Sequence, residues 1–164
     1  MKFSTQPPRL ADSAIGAAVN AAINGATAWS AFKASESIPL SLDSIGAPGV
    51  TALGNAATVA FALTLIITCI TFFVYRGSAR KASQAPNSLR TMPFISTGLR
   101  IALVNTLLAF GAFVAVAVLW QRFAGTVVVG PAAASAVVAA VAGMATAFAE
   151  WRTKRDMLGA AAAG

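Results

Sequence analysis

From Thr51 to Tyr75 the chain carries no charged side chain, and this run limits the fold more than any other feature. Its core is Phe61-Ala-Leu-Thr-Leu-Ile-Ile-Thr-Cys-Ile70, with Phe72, Phe73 and Val74 behind it. A hydrocarbon layer of about 30 Å takes about 20 residues of helix to cross. Three further stretches are of about that length, about 13–32, 99–120 and 130–150. Charge is scarce throughout, 10% of residues against 57% hydrophobic, where soluble domains carry about 25% charged side chains. That leaves too little polar surface to cover a soluble core, and the apolar content excludes disorder. A β-barrel would show short segments of alternating polarity, whereas these runs are continuous and rich in Ala and Leu. The expected fold class is all-α: one membrane-embedded domain, a bundle of four helices over about 13–32, 51–75, 99–120 and 130–150.

The first of these segments is the weakest, Ala-rich and interrupted by Asn20, Asn24 and Gly25. Polar amides in mid-segment argue for a retained helix rather than a cleaved leader. Before the fourth, Gly130 suits a cap and Pro131 a first helical position. The Val127-Val128-Val129 run fits either extended chain or an extra helical turn.

The charges give a separate test of this count. Lys2, Arg9, Arg76, Arg80, Lys81, Arg90, Arg100, Arg152, Lys154 and Arg155 fall on one side of a four-span chain, and only Lys33 and Arg122 on the other. Ten cations against two place both termini and the basic connection in the cytoplasm. Trp29, Tyr75, Trp120 and Trp151 fall close to the expected helix ends, as in an interfacial aromatic belt.

The first connection contains Ile38, Leu40 and Leu42 alternating with polar residues or Pro, which suits a short extended segment at the membrane surface. Pro48-Gly49 reads as a turn into the second helix. The 76–98 connection is basic and rich in Ser and Pro, so a mobile loop is expected there. Arg76, Arg80, Lys81, Arg90 and Arg100 are candidate contacts for anionic lipid headgroups; the plainer reading is that they fix topology. The cations are divided among short tracts next to the membrane, so no nucleic-acid partner is expected. The short third connection suggests that the last two helices form an antiparallel hairpin. The tail, 157–164, is low in complexity and expected to fray.

Small and polar side chains mark the faces that should meet. They are Pro131, Ser135, Ala139, Gly143 and Thr146, and a second row of Ala132, Ala136 and Ala140, on the last helix. The first helix offers Asn20, Asn24, Thr27 and Ala31; the second, Asn55, Thr64, Thr68, Thr71 and Tyr75; the third, Asn105, Gly111 and Ala115.

Little in the chain carries chemistry. There is no histidine, so no imidazole ligand or general base near neutral pH. The single Cys69, in mid-helix, reads as a small core hydrophobe. Asp12, Glu36, Asp43, Glu150 and Asp156 all lie outside the expected spans or at their ends, which argues against a proton-coupled transporter with an embedded carboxylate. Paired catalytic carboxylates, nucleophile triads and phosphate-cradling Gly loops are missing, so neither an enzyme nor a bound cofactor is expected. The remaining candidate site is the amide set Asn20, Asn24, Asn55 and Asn105. It reads first as glue between helices and alternatively as a neutral polar pocket for a lipid headgroup, quinone or small solute.

The stretch Asn20-Ala-Ala-Ile23-Asn24-Gly25-Ala26-Thr27-Ala28-Trp29, then Phe32 and Ile38-Pro39-Leu40, resembles an uncharacterised family of small bacterial four-helix integral membrane proteins. The resemblance implies that fold and a multi-pass location in the bacterial inner membrane. Two functions are then expected to compete. One is a non-enzymatic accessory or scaffolding subunit whose partners are the bilayer, its anionic headgroups and other membrane subunits or copies of itself. The other is a passive or exchange-type transporter, or binding protein, for a small neutral or anionic solute or lipid, working through the Asn set.

Overall fold

The computed structural model of the chain describes residues 8–42, 50–125 and 127–163; Lys2, Asp43 and the turn expected at Pro48-Gly49 lie outside them. A 3-10 turn, Leu10–Ser13, leads into α1 (Ala14–Phe32). Then come β1 (Ile38–Pro39), α2 (Ala52–Lys81) and the short α3 (Asn87–Thr91). A π-helical turn, Phe94–Gly98, runs directly into α4 (Leu99–Ala124), followed by β2 (Val128–Val129) and α5 (Pro131–Ala163).

Local chemistry sets the ends. Thr51 Oγ1 accepts a hydrogen bond from Gly54 N–H at 3.3 Å, capping α2. Pro131 opens α5, and the Gly130 carbonyl accepts from Ala134 N–H at 3.1 Å, in line with the expectation. α4 stops at Gly125, whose φ of +69° strains any residue with a Cβ. The valine run resolves as extended chain. β2 pairs antiparallel with β1, Ile38 opposite Val129 and Pro39 opposite Val128. Leu40 N–H donates to the Val127 carbonyl at 2.8 Å, and Leu42 N–H to Gln121 Oε1 at 3.0 Å.

Among the described residues, three helices are long and apolar enough to cross a membrane: Ala52–Lys81, Phe94–Ala124 and Pro131–Ala162. α1, 19 residues long, is not among them, because Asn20 and Asn24, with Gly, Ser and Thr, lower its hydropathy. It nevertheless lies antiparallel along α5. A Cβ added at Gly16 would stand 2.6 Å from Glu150 Oε1, and one at Gly25 would stand 2.9 Å from Ala139 Cβ. Gly143 of α5 meets Ala17 and Ala21 between these two points. Small side chains therefore set how closely the two backbones approach.

The four long helices form an open row. α1 packs on α5, α5 on α2 and α2 on α4, while α4 and α5 touch only sparsely. The short connection reverses the chain as expected, but a packed α4–α5 hairpin does not form. Pairing of β2 with β1 holds the start of α5 against the ends of α1 and α2 instead. Ala28, Phe32, Ile38, Ala52, Ala56, Ala134 and Val138 fill the core there. Of the expected contact stripes, Ser135, Thr146, Thr64, Thr68, Thr71, Tyr75 and Asn105 are buried. Thr27, Ala31, Gly111, Ala115, Ala132, Ala136 and Ala140 face outward, since α1 has a single main neighbour and α4 turns its buried side to α2.

At the other end the structure departs most from the expectation. The 76–98 segment is folded: α2 continues to Lys81 and α3 follows. α5 continues to Ala163 where a frayed tail was expected. Leu89, Met92, Ala85, Phe72, Tyr75, Ala79, Ile101 and Met157 make a second core. Ser88 Oγ donates to the Ala161 carbonyl at 2.9 Å, tying connection to tail. The physical reason is length. Thirty residues of α2 reach about 45 Å, so its last turns pass beyond a layer of about 30 Å and present apolar side chains that must be covered.

Candidate functional site

The cations of this end divide into two groups. Arg76 Nη1 donates to the Met92 carbonyl at 2.7 Å and its guanidinium lies 5.6 Å from the centroids of Phe72 and Phe73. Arg80 Nε donates to the Arg90 carbonyl at 3.0 Å; Arg90 Nη2 donates to the carbonyls of Ala82 and Ser83 at 2.6 and 2.8 Å. These three side chains hold the folded connection to the end of α2, where guanidinium groups satisfy helix-terminal carbonyls. Lys81 is exposed at the last turn of α2. Arg100 stands apart and lines a cleft of about 450 Å³ between the start of α4 and the end of α5, with Thr97, Ile101, Arg155, Asp156 and Gly159.

The four amides do not converge. Asn20 Nδ2 donates to the Gly16 carbonyl and Asn24 Nδ2 to the Asn20 carbonyl, both within α1. Asn55 is half-buried in the first turn of α2, at the sheet end. Asn105 is fully buried at the basic end: its Oδ1 accepts from Arg152 Nε at 3.0 Å, and its Nδ2 donates to Thr153 Oγ1 at 3.4 Å. Gly25, next to Asn24, meets Ala139. Along α5 that is 14 residues from Thr153, or about 21 Å. No single pocket can use both.

What the structure assembles instead is a polar layer on α5, just beyond its apolar stretch. Lys154, 5% exposed, pairs with Glu150 at 3.5 Å. The Glu150 carboxylate folds over Gly16 of α1. With Ile70, Thr71, Val74 and Tyr75 this pair lines a small cavity of about 120 Å³. Arg152 pairs with Asp156 at 3.5 Å while bonding Asn105. Burial raises the Asp156 pKa above the ordinary aspartate value, against the lowering effect of Arg152 and Arg155. In the sequence, Arg152, Lys154 and Arg155 read only as topology signals, and Glu150 and Asp156 only as acids outside the spans or at their ends. The legible clue was their i,i+4 spacing, Glu150–Lys154 and Arg152–Asp156, which suits a helix that does not stop at Ala149.

Further into the apolar stretch the α4–α5 seam opens again. Ala109, Ala112, Phe113 and Val116 of α4 face Val141, Met144, Ala145 and Phe148 of α5 across a groove of about 380 Å³, with Ala60 of α2 beside them. Among the described residues no group of His, Cys, Asp and Glu could hold a metal ion. The chain matches no family model, no curated protein and no solved structure.

Proposed function

We propose that this chain is a non-enzymatic, four-span protein of the bacterial inner membrane that serves as an accessory or scaffolding subunit of a larger membrane assembly. Both termini and the basic end face the cytoplasm. α1 supports the fourth crossing by running antiparallel to α5 through the depth of its apolar stretch, and at 19 residues it is about 28 Å long. The ten-to-two division of cations supports the orientation. The resemblance of residues 20–40 to small bacterial membrane proteins supports the location.

One observation carries the scaffold reading over transport. Asn20 and Asn24 donate to carbonyls of their own helix, Asn105 is bonded to Arg152 and Thr153 at the basic end, and Asn55 stands apart at the sheet end, so the four offer a solute no common polar path. The open row of helices leaves faces of α1 and α4 without a helical neighbour of their own. Purification in a gentle detergent followed by mass measurement tests the reading. The expected particle is heavier than one chain, with partner subunits or copies retained; a strictly monomeric, partner-free particle would contradict it. Liposome flux addresses the other function: solute movement above protein-free vesicles that is abolished by Asn24→Leu would favour a transporter.

A further inference from the structure

We propose that the α4–α5 seam binds one anionic phospholipid from the leaflet at the basic end, its phosphate held by Arg100 and Arg155 and one acyl chain lying in the groove beside Ala60. The site rests on the membrane placement proposed above, and not on the scaffold role.

Two clefts of opposite character lie on the same pair of helices, in the order an amphiphile requires. The outer one carries Arg100 and Arg155; the inner one is lined by apolar side chains alone. Between them Asn105 and Arg152 bridge α4 to α5 at 3.0 Å. From Arg155 to Val141 along α5 is 14 residues, about 21 Å, enough to run from a headgroup to the midplane of a layer whose half-thickness is about 15 Å.

Charge supports the outer end. Arg76, Arg80 and Arg90 are tied to backbone carbonyls, whereas Arg100 is exposed and lines the cleft. Arg155 is braced over the Trp151 ring at 5.4 Å. Two guanidinium forks match a phosphate, which accepts paired hydrogen bonds. Asp156, on the cleft wall, is offset by its pair with Arg152.

The lining supports the inner end. The inner groove of about 380 Å³ is lined by apolar side chains alone, which suits a hydrocarbon chain. Small residues, Ala109, Ala112 and Ala145, leave the room for it.

The test is native mass spectrometry of the full chain in detergent, titrated with phosphatidylglycerol or with phosphatidylcholine. One phosphatidylglycerol per chain is expected, with phosphatidylcholine clearly weaker. The doubly neutral Arg100→Gln/Arg155→Gln variant should bind phosphatidylglycerol about 30-fold more weakly, from about 1 kcal/mol per cation near an anionic surface. Arg122→Gln, at the opposite end, should bind like wild type. Ala112→Phe changes an exposed groove residue and should weaken binding of the lipid while leaving the thermal stability of the lipid-free protein in place. Equal binding of the two lipids, an unchanged affinity in the double variant, or full binding by Ala112→Phe would each overturn the proposal. A monomeric, partner-free particle would bear on the scaffold reading and leave this site standing.

Discussion

Leu89 lies fully buried in the core at the basic end, in one cluster with Phe72, Tyr75, Met92, Ile101 and Met157. Replacing it with Ala removes three carbons, at about 0.8 kcal/mol each in transfer free energy. The cavity left behind adds to this, so the cost is about 3–4 kcal/mol, inside the range of about 2–5 kcal/mol for buried Leu→Ala. If the 76–98 segment opens as a local unit, its opening equilibrium rises about 150- to 900-fold. Trypsin cleavage after Arg90, or hydrogen exchange over 85–92, reads that change directly in detergent-solubilised protein. Wild type should be protected and Leu89→Ala cut faster by that factor. Ile95→Ala, at a position 83% exposed, should cost no more than about 0.5 kcal/mol and change little. Wild-type cleavage at the rate of an unfolded peptide, or equal protection in Leu89→Ala, would refute the packed connection and restore the mobile loop that composition alone suggests.

At the α1–α5 seam, Gly25→Leu must push the helices apart, because even a Cβ there stands 2.9 Å from Ala139 Cβ. The expected loss is about 1–3 kcal/mol, or several degrees in Tm. Gly77→Ala, in a helix interior with open space around its Cβ, should gain about 1 kcal/mol; equal shifts in thermal scans would contradict the seam. Glu150→Gln leaves the Lys154 ammonium buried without its partner and should cost about 3–5 kcal/mol, most of it recovered in Glu150→Gln/Lys154→Met. A double variant no more stable than the single one would show that the pair does not act as a unit. Because burial raises the Asp156 pKa, the folded state holds this proton up to a higher pH than the unfolded chain does. Its contribution to stability therefore falls as pH rises through the carboxylate range and is most favourable below it. Asp156→Asn should flatten the thermal-stability profile in that window, and an unchanged profile would contradict the assignment.

What was legible in the sequence was whatever depends on chain-local physics. The apolar runs of α2, α4 and α5, the Gly130-Pro131 start of α5, the inward Thr64, Thr68 and Thr71 row and the sorting of cations to one end follow from helical period and composition. The extended character of 38–40 was also readable, but its partner was not. Pairing with Val128–Val129 depends on where the chain returns in space. The largest miss came from equating the end of an apolar run with the end of a helix. α2 and α5 run on through Arg80 and Arg155 because long cationic side chains turn their heads outward while Ala79, Leu89 and Met157 pack inward. That continuation builds the polar layer, so Lys154, Glu150 and Arg155 stayed unread as a site. The Asn set looks like a cluster only when residue types are read without depth; Asn20 and Asn24 each donate to a carbonyl of α1, and Asn105 is bonded to Arg152.

The claim on which the rest depends is that α1 crosses the membrane beside α5, leaving both termini and the basic end on one side. Single cysteines in a Cys69→Ser background, at Ala11, Ser37 and Ser83, are all at exposed positions and can be reacted with a membrane-impermeant maleimide in sealed cells. Ser37→Cys alone should react from outside, with Ala11→Cys and Ser83→Cys reacting only after the membrane is opened. Labelling of Ala11→Cys together with Ser37→Cys in sealed cells would remove the first crossing, and labelling of Ser83→Cys from outside would invert the orientation.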